Sequence, residues 1–308
     1  MADPPVVIGP QFARTMTDLH GASGEEWLQR LPAAVAQCAV RWSLEILPPF
    51  ADLSYNYVAP AVRADGTRAV LKAAFPTRES LAEREALRLY AGQAATKLLA
   101  SDGELTALLL ERADPGEQLV AVADDDEATR IAASVMRDLR PAAPAQHSFP
   151  TIEDWGKGFR RLRTHFAGGT GPLDPVLVER ADRLFAELAA SGAAPVLLHG
   201  DLHHYNILSA QRRPWLAIDP KGVVGEPAYE VGALLRNPLD WPFAWPDPTR
   251  TMARRLDLLA DELAFDRARL HGWGLAQAVL SAWWSVEDHG KGWEAAMACA
   301  AILASTKP

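Results

Sequence analysis

The chain has 308 residues, of which 49% are hydrophobic and 23% are charged, a composition typical of a globular protein. Its formal net charge of −8 disfavours a nucleic-acid partner, because a phosphate backbone attracts basic surfaces. The first residues lack a basic segment followed by an apolar stretch, and no run approaches the roughly 18 apolar residues of a membrane span. We therefore expect a cytoplasmic protein without a membrane partner.

The first predicted elements are helical and form an N-terminal extension over residues 1–40. Ser23 and Glu26 have the spacing of a capping box, and apolar residues follow at helical intervals. Pro32 is expected to open a second helix that runs through Cys38. Cys38 and the only other cysteine, Cys299, stand in Ala-rich surroundings, which predicts two buried free thiols.

Residues 41–113 are predicted to form a small lobe that combines strands with one helix. Three short strand-like runs occupy residues 41–75, and Asp65-Gly66 between the last two indicates a hairpin turn. The amphipathic run 76–92 ends at a glycine and is typical of a helix. Residues 104–113 predict at least one further buried strand.

The remaining residues, 114–308, are predicted to be mostly helical. Asp124, Asp125 and Asp126 are interpreted as charges that favour a helix N-terminus rather than as metal ligands. Further helix starts are predicted at Thr151, Asp174, Ala228, Asp247 and Asp266. The exception is residues 195–220, where two apolar strand-like runs flank a polar loop.

The polar loop carries the residues that indicate chemistry. Asp201 and Asn206 lie in the loop, and Asp219 follows the second apolar run. Phosphoryl transfer needs a carboxylate that orients the acceptor hydroxyl and metal ions that neutralise the phosphates. Two carboxylates and an amide suit Mg²⁺, which prefers hard oxygen ligands. The three residues therefore predict a kinase that uses ATP and Mg²⁺.

The histidines of the loop raise a second interpretation, a zinc or di-metal hydrolase built from His199, Asp201, His203 and His204. Their spacing lacks the helical His-x-x-x-His pattern, and the sequence offers no distant ligand cluster. We interpret His199 as a structural histidine that braces the loop. His203 either assists near the phosphate or orients Asp201.

The segment "HGDLHHYN", followed by Asp219 after a short hairpin, resembles the catalytic loop and metal-binding Asp of the protein-kinase-like fold. Its central Gly200 and its His203 are similar to the aminoglycoside phosphotransferase and choline kinase branch. The wider stretch "VLLHGDLHHYNIL…PWLAIDPKGVVGEPAYEVGALLRNP" resembles the streptomycin 6-phosphotransferase and hydroxyurea kinase group. Upstream, "ADGTRAVLKAAFP" and "ALLLERADPGEQL" extend the resemblance to roughly residues 25–290.

This resemblance implies an α+β, bilobal fold, with a small N-terminal antiparallel-sheet lobe, a larger mainly helical C-terminal lobe and the ATP site between them. Asp201 matches the catalytic base, and Asn206 and Asp219 match the Mg²⁺ ligands. Lys72 matches the lysine that contacts the ATP phosphates. Its partner is expected to be Glu85, with Glu83 and Glu79 as alternatives. The backbone around Glu111 and Ala113 is expected to contact the adenine.

Two departures from the kinase pattern bear on the substrates. Residues 46–58 contain no glycine, so amides near Ser54 are expected to contact the phosphates, and the choice between ATP and GTP stays open. Gly200 stands where protein kinases have an arginine that binds a phosphorylated activation loop. Only five residues separate Asp219 from Gly225, too few for a segment that docks a peptide. We therefore expect a small-molecule acceptor and no protein substrate.

The late helices are expected to build the acceptor site, because a guanidinium-bearing sugar would favour carboxylates and aromatic faces. The candidate acceptor contacts are His203, Glu230, Trp283, Glu287 and Asp288, with Trp241, Trp245 and Trp284 as further aromatics. Tryptophan at helical spacing is also typical of a core, and Glu230 also fits an acidic residue that ties the loop together. Streptomycin is the leading acceptor and hydroxyurea the next. A sugar or amino-alcohol kinase and a nucleotide-binding protein with degraded catalysis are the alternatives.

Overall fold

The computed structural model describes residues 6–51, 53–239 and 241–308. Contacts divide the chain into two compact units, Met1–Asp114 and Pro115–Pro308, which we call the N-terminal and C-terminal units. No helix among these described residues is both long and apolar enough to cross a membrane.

The N-terminal unit is built on a five-stranded antiparallel sheet with the order β1-β2-β3-β5-β4. The strands are β1 (Leu44–Ile46), β2 (Asn56–Arg63), β3 (Arg68–Ala74), β4 (Leu98–Asp102) and β5 (Ala107–Glu111). The predicted hairpin at Asp65-Gly66 is confirmed, because Gly66 has a φ of 81° and the Asp65 carboxylate accepts the N–H of Thr67 at 2.9 Å. The central strand β3 carries Lys72, which pairs in register with Val58 and Leu108.

The first helix, α1 (Pro10–Trp42), begins earlier than predicted and continues through the residue predicted to start a second helix. Helix begins at Pro10 and is interrupted at Gly21, whose φ of 56° and ψ of −138° are not helical. The predicted second start at Pro32 is wrong, because Pro32 lies inside the helix. The face of α1 that carries Trp27, Leu31 and Val35 shares one hydrophobic core with the sheet, so the N-terminal extension is part of this unit.

Helix α2 (Arg78–Tyr90) follows β3 and is positioned by a capping box. The Thr77 hydroxyl accepts the N–H of Ser80 at 3.2 Å, and the Ser80 hydroxyl accepts the N–H of Thr77 at 3.0 Å. Leu87 is fully buried and packs with Leu108 and Leu110 of β5. This start brings the buried side of α2, including Glu83, against the sheet.

The C-terminal unit is mainly helical and contains two small antiparallel sheets, β7-β10 and β6-β8-β9. Its strands are β6 (Pro115–Gln118), β7 (Val196–Leu198), β8 (Ile207–Ala210), β9 (Trp215–Ala217) and β10 (Val223–Gly225). Its helices are α3 (Asp125–Asp138), α4 (Ile152–His165), α5 (Pro175–Ala190), α6 (Val231–Leu235), α7 (Trp241–Ala244), α8 (Pro248–Leu263), α9 (Arg267–His289) and α10 (Glu294–Ser305).

Side-chain caps begin most of these helices where the sequence predicted them. The capping residues Asp124, Thr151, Asp174, Asp247 and Asp266 each accept a backbone N–H from the first helical turn. Helix α9 is the centre of the unit. Its residues from Leu270 to Val279 are almost all buried, as expected of a helix that is packed on every side. The two cysteines are buried free thiols, and burial raises the pKa of Cys38 to about 11 and that of Cys299 to about 12.

Candidate active site

The polar loop connects β7 to β8 and is held by a buried carboxylate beneath it. Glu230 accepts the N–H of His199 at 2.7 Å and the N–H of Gly200 at 2.9 Å. Glu230 is 5% exposed. Burial raises its pKa to about 7, against the opposing effect of the two N–H donors and with a further rise from the charge of Asp201. The expected role of Glu230 in tying the loop together is confirmed by these two hydrogen bonds.

His199 braces the loop from the other side. Its Nε2 lies 2.8 Å from the carbonyl oxygen of Ile218, and its Nδ1 accepts the N–H of Asp201 at 3.2 Å. Nδ1 is therefore the acceptor and Nε2 the N–H donor of a neutral ring. Burial lowers the pKa of His199 to about 4, which keeps the ring in this state near neutral pH. His199 is therefore structural, as predicted.

Asp201 is the partly exposed carboxylate of the loop, with a side chain that is 27% exposed. Arg236 donates from Nη2 to Asp201 Oδ1 at 3.2 Å, and His203 Nε2 lies 3.6 Å from Oδ2. Burial raises the pKa of Asp201, but His203 and the charges of Arg236 and Lys221 outweigh it and hold the pKa well below its usual range. Asp201 is therefore ionised at neutral pH and suited to accept a hydrogen bond from a hydroxyl.

Asn206 is oriented by the backbone of the same loop. Its Nδ2 donates to the backbone carbonyl oxygen of Asp201 at 2.9 Å, and the backbone carbonyl oxygen of Asn206 accepts the N–H of Ile218 at 2.9 Å. Because Nδ2 is engaged, Oδ1 is the side-chain atom that can bind a cation. Asp219 lies just after β9 with a φ of 58°, a left-handed conformation that is uncommon for a residue other than glycine.

These donors fit a magnesium ion in type. One amide oxygen and one carboxylate are hard ligands, and an octahedral Mg²⁺ takes most of its remaining ligands from water and phosphate oxygens. Among residues 6–51, 53–239 and 241–308, no group of three or more His, Cys, Asp or Glu side chains is arranged to hold a metal ion. The three loop histidines differ in their surroundings. His199 bonds backbone, His203 faces Asp201, and His204 is buried at 3% exposure.

In the N-terminal unit, Lys72 is paired with a carboxylate of α2. Lys72 Nζ lies 2.6 Å from Glu83 Oε1, and the two side chains are 3% and 8% exposed. The expectation that Glu85 would be the partner is wrong. Glu85 lies about half a turn from Glu83 and pairs instead with Arg84 at 3.3 Å and Arg88 at 3.7 Å on the outer side of the helix.

The other expected nucleotide contacts lie in loops and strand ends of the same unit. Ser54 is exposed in the connection between β1 and β2. Glu111 ends β5, where its N–H donates to the carbonyl oxygen of Lys97 at 2.8 Å and its carboxylate accepts the N–H of Lys97 at 3.0 Å. Ala113 is 9% exposed two residues later. Their contacts with a nucleotide stay a prediction.

The predicted acceptor residues of α9 have structural contacts of their own. Trp283 is 1% exposed, and its ring packs edge-on against those of His165 and Phe166. Glu287 accepts two hydrogen bonds from Arg161, at 2.6 and 2.9 Å. Asp288 is exposed near the C-terminal end of the same helix. Contact of these side chains with an acceptor stays a prediction.

The two tryptophans around α7 are structural. Trp241 is 2% exposed and donates from Nε1 to the carbonyl oxygen of Leu235 at 3.2 Å. The fully buried guanidinium of Arg255 lies over the rings of Trp241 and Trp245, at 5.3 and 4.8 Å, and Asp125 binds the same guanidinium. Asp125 is therefore the partner of a buried arginine as well as a first-turn acid of α3.

Comparison with known proteins agrees with this geometry. Residues 44–289 match the family described as aminoglycoside/hydroxyurea antibiotic resistance kinase. The chain belongs to this family. The streptomycin 6-kinase of Streptomyces griseus is 36% identical over 279 residues, which cover 90% of each chain. The hydroxyurea phosphotransferase of Kitasatospora aureofaciens is 35% identical over 287 residues, which cover 92% of this chain and 81% of that protein.

Solved structures confirm the fold of this family member. The aminoglycoside phosphotransferase APH(4)-Ia, solved as a thermostable mutant in ternary complex with ADP and hygromycin B, aligns with a TM-score of 0.60. The alignment covers 88% of this chain and 98% of the other at 16% identity, a level that supports the fold alone. Both the predicted protein-kinase-like fold and the predicted resemblance to the streptomycin 6-phosphotransferase and hydroxyurea kinase group are confirmed.

The sequence did not predict Arg236, which contacts Asp201 of the polar loop. Arg236 is 9% exposed and holds Asp201 with one nitrogen, while its Nη1 donates to Gln277 Oε1 at 3.1 Å. A signal was present, because Arg236 ends the otherwise apolar run "VGALLR", and a buried arginine needs a charged or polar partner. The identity of that partner is a matter of tertiary structure.

Proposed function

We propose that this family member is a small-molecule kinase that transfers the γ-phosphate of ATP to a hydroxyl of a streptomycin-type aminoglycoside. The observation that carries the proposal is the state of Asp201, an ionised, partly exposed carboxylate that Arg236 and the backbone of its loop hold in place. The relatives named streptomycin 6-kinase and hydroxyurea phosphotransferase, at 36% and 35% identity, support the acceptor class. An ATP-dependent reaction is in keeping with a cytoplasmic location.

In this reaction the chain's residues have separate roles. Asp201 accepts a hydrogen bond from the acceptor hydroxyl and aims its oxygen at the γ-phosphorus. The strongly lowered pKa of Asp201 makes orientation its main task, in keeping with the loose transition state of phosphoryl transfer. Asn206 and Asp219 would hold Mg²⁺, which neutralises phosphate charge when bound. Lys72, positioned by Glu83, would contact the α- and β-phosphates.

Hydroxyurea is the second candidate acceptor. The chain is 35% identical to the Kitasatospora hydroxyurea phosphotransferase, nearly the same as its 36% identity to the streptomycin 6-kinase. Both acceptors are small and polar and carry a planar nitrogen-rich group, so the same carboxylate could serve either. A sugar or amino-alcohol kinase differs from these in the acceptor that supports ATP turnover, whereas a protein with degraded catalysis differs in Mg²⁺-dependent ATP turnover itself. Degraded catalysis predicts no turnover with any acceptor.

The test is an ATP-consumption screen over streptomycin, guanidine-free aminoglycosides, hydroxyurea, sugars and amino alcohols. We expect streptomycin-dependent turnover that Asp201→Asn lowers roughly 10²- to 10⁴-fold while nucleotide binding is retained. Asp138→Asn is the matched control, because Asp138 forms only a surface pair with Arg213, and it should leave turnover unchanged. An unimpaired Asp201→Asn enzyme would remove Asp201 from its role, and a screen without any acceptor would refute the proposed substrate class.

A further inference from the structure

Two tryptophans of the C-terminal unit form an aromatic surface beside the catalytic loop. Trp155 on α4 and Trp284 on α9 are both partly exposed, and their rings meet edge to face with centroids 5.5 Å apart. We call this pair the Trp155–Trp284 wall. Trp155 also lies close to Tyr229, with ring centroids 6.1 Å apart, and Tyr229 immediately precedes the loop-bracing Glu230.

The wall reaches the residue next to the catalytic carboxylate. A Cβ atom on Gly200 would lie 2.8 Å from Trp155 Cη2, closer than such atoms approach in proteins. The indole therefore occupies the space that a side chain at Gly200 would need. Since Gly200 directly precedes Asp201, the wall begins one residue from the group that orients the acceptor hydroxyl.

A second glycine lets the two helices of the wall pack closely. A Cβ atom on Gly158 would lie 2.9 Å from Leu280 Cδ2 and 3.3 Å from Trp283 Cδ1, so the absence of a side chain lets α4 and α9 approach one another beside Trp284. The wall is thus fixed on two packed helices rather than on a flexible loop. A site on rigid elements holds its geometry more precisely than one on loops.

These two tryptophans differ from the core tryptophans of the same unit. Trp241 and Trp273 are buried, and their indole N–H groups donate to Leu235 and Glu226. Trp155 and Trp284 are instead partly exposed. Exposed aromatic surface beside a reactive group is typical of a ligand contact.

Part of the positive charge on α4 beside the wall is compensated. Two basic residues of α4 that follow Trp155, Lys157 and Arg161, are each paired with a carboxylate at 2.6 Å, Asp154 and Glu287 respectively. Their positive charge is therefore largely compensated. On the loop side stands the Asp201 carboxylate, which Arg236 contacts at 3.2 Å. Tryptophan is the aromatic residue that attracts cations most strongly through its ring face.

We propose that the Trp155–Trp284 wall binds a planar guanidinium group of the acceptor and so places a neighbouring hydroxyl at Asp201. This inference rests on the proposed function and names the chemical group that the site selects. It predicts that guanidinium-bearing acceptors are preferred over acceptors whose only cations are amines. A neutral planar acceptor such as hydroxyurea should depend on the wall less.

The test measures streptomycin binding by calorimetry, and KM values for streptomycin and ATP, in Trp155→Ala, Trp155→Phe and Trp284→Ala. We expect the Kd and KM for streptomycin to rise roughly two- to thirtyfold in the Ala variants, in line with the strength of cation–π contacts. Trp155→Phe should give an intermediate rise and guards against misfolding of Trp155→Ala. The KM for ATP should be unchanged. Trp293→Ala, at the start of α10, is the matched control and should bind streptomycin like the wild type.

Failure of this inference can be told apart from failure of the proposed function. If the wild type binds streptomycin saturably and Trp155→Ala weakens that binding, the wall is supported even when no acceptor is phosphorylated. If neither streptomycin nor methylguanidinium binds the wild type, or if both wall variants bind streptomycin normally, the inference is overturned. Faster turnover of a guanidine-free aminoglycoside than of streptomycin would also overturn it, while leaving the kinase activity intact.

Discussion

The two units hold their key charged groups in different ways. In the N-terminal unit, Lys72 and Glu83 neutralise each other directly at 2.6 Å and are almost fully buried. In the C-terminal unit, Asp201 stays partly exposed, and its loop is held through backbone N–H groups by the buried Glu230. Because Lys72 and Glu83 pair directly in a buried site, a substitution of either residue is expected to lower the stability of the N-terminal unit. Support through the backbone holds the loop by contacts that do not involve the Asp201 carboxylate.

The largest effect is expected from breaking the buried pair. Glu83→Gln leaves the Lys72 ammonium facing a neutral amide in a buried site and should lower the free energy of unfolding by about 3–5 kcal/mol. The KM for ATP should rise as well. Glu85→Gln is the matched control, because Glu85 has surface partners only at the helix exterior, and its effect should stay below about 1 kcal/mol. Chemical denaturation checks both, and equal effects would contradict the assignment of Glu83.

A smaller effect is expected from the carboxylate that supports the catalytic loop. Glu230→Gln keeps one acceptor oxygen but turns an N–H₂ group toward a backbone N–H, which should lower the free energy of unfolding by about 1–3 kcal/mol at pH 8. Turnover should fall with it, because the Asp201 loop loses an anchor.

The same variant tests the raised pKa of Glu230. With a pKa of about 7 in the folded state and 4.5 ordinarily, Glu230 binds its proton more tightly when folded. Its contribution to the free energy of unfolding therefore falls as pH rises from 4.5 to 7. His199 acts oppositely, since its folded pKa of about 4 favours folding above 6.5. The wild type minus Glu230→Gln difference isolates the Glu230 contribution, and a flat difference across this range would contradict the raised pKa.

Arg236 should show itself in the pH dependence of turnover. Arg236→Gln removes a charge that lowers the pKa of Asp201, so the acid limb of the kcat/KM profile should move to higher pH. A merely structural role would lower activity without moving the limb. Arg213→Gln, which breaks the exposed pair with Asp138, provides the control and should leave the profile in place.

The smallest effect sharpens the contrast between buried and exposed pairs. Arg161 and Glu287 are as close as Lys72 and Glu83, at 2.6 Å, but their side chains are 45% and 30% exposed. A double-mutant cycle with Arg161→Gln and Glu287→Gln should give a coupling energy of about 0.2–1 kcal/mol. The cycle also tests Glu287 as an acceptor contact, since only then would Glu287→Gln raise the KM for streptomycin more than Arg161→Gln does.

The polar loop and its two flanking strands could be predicted from sequence, because the residue types of such a loop recur at short, fixed spacings, while the catalytic role of its residues stays a prediction. Asp201, Asn206 and Asp219 lie within nineteen positions of one another, on one loop and the next strand end. Several helix starts could also be predicted, because caps such as Thr151 and Asp174 accept N–H groups from the helical turn that directly follows them. These features depend on local interactions that a sequence displays directly.

Other features depended on which side of an element faces inward. Glu83 and Glu85 both stand in α2, and a two-residue difference, about 200° around the helix, decides which one meets Lys72. Pro32 sits within α1 because packing of Trp27, Leu31 and Val35 on the sheet stabilises a continuous helix across it. Arg236 and Trp155 reach the loop from distant segments, and no local pattern encodes such a meeting.

The contact between Gly200 and Trp155 also has an evolutionary consequence. With a φ of 83° and an indole in the space of its missing side chain, Gly200 cannot be exchanged alone. A side chain at this position would also lie 2.9 Å from Val223 Cγ1, so any homologue that carries one should have smaller residues in place of both Trp155 and Val223, and the three positions should vary together. Substrate range in such a lineage would then change in coupled steps rather than by single substitutions.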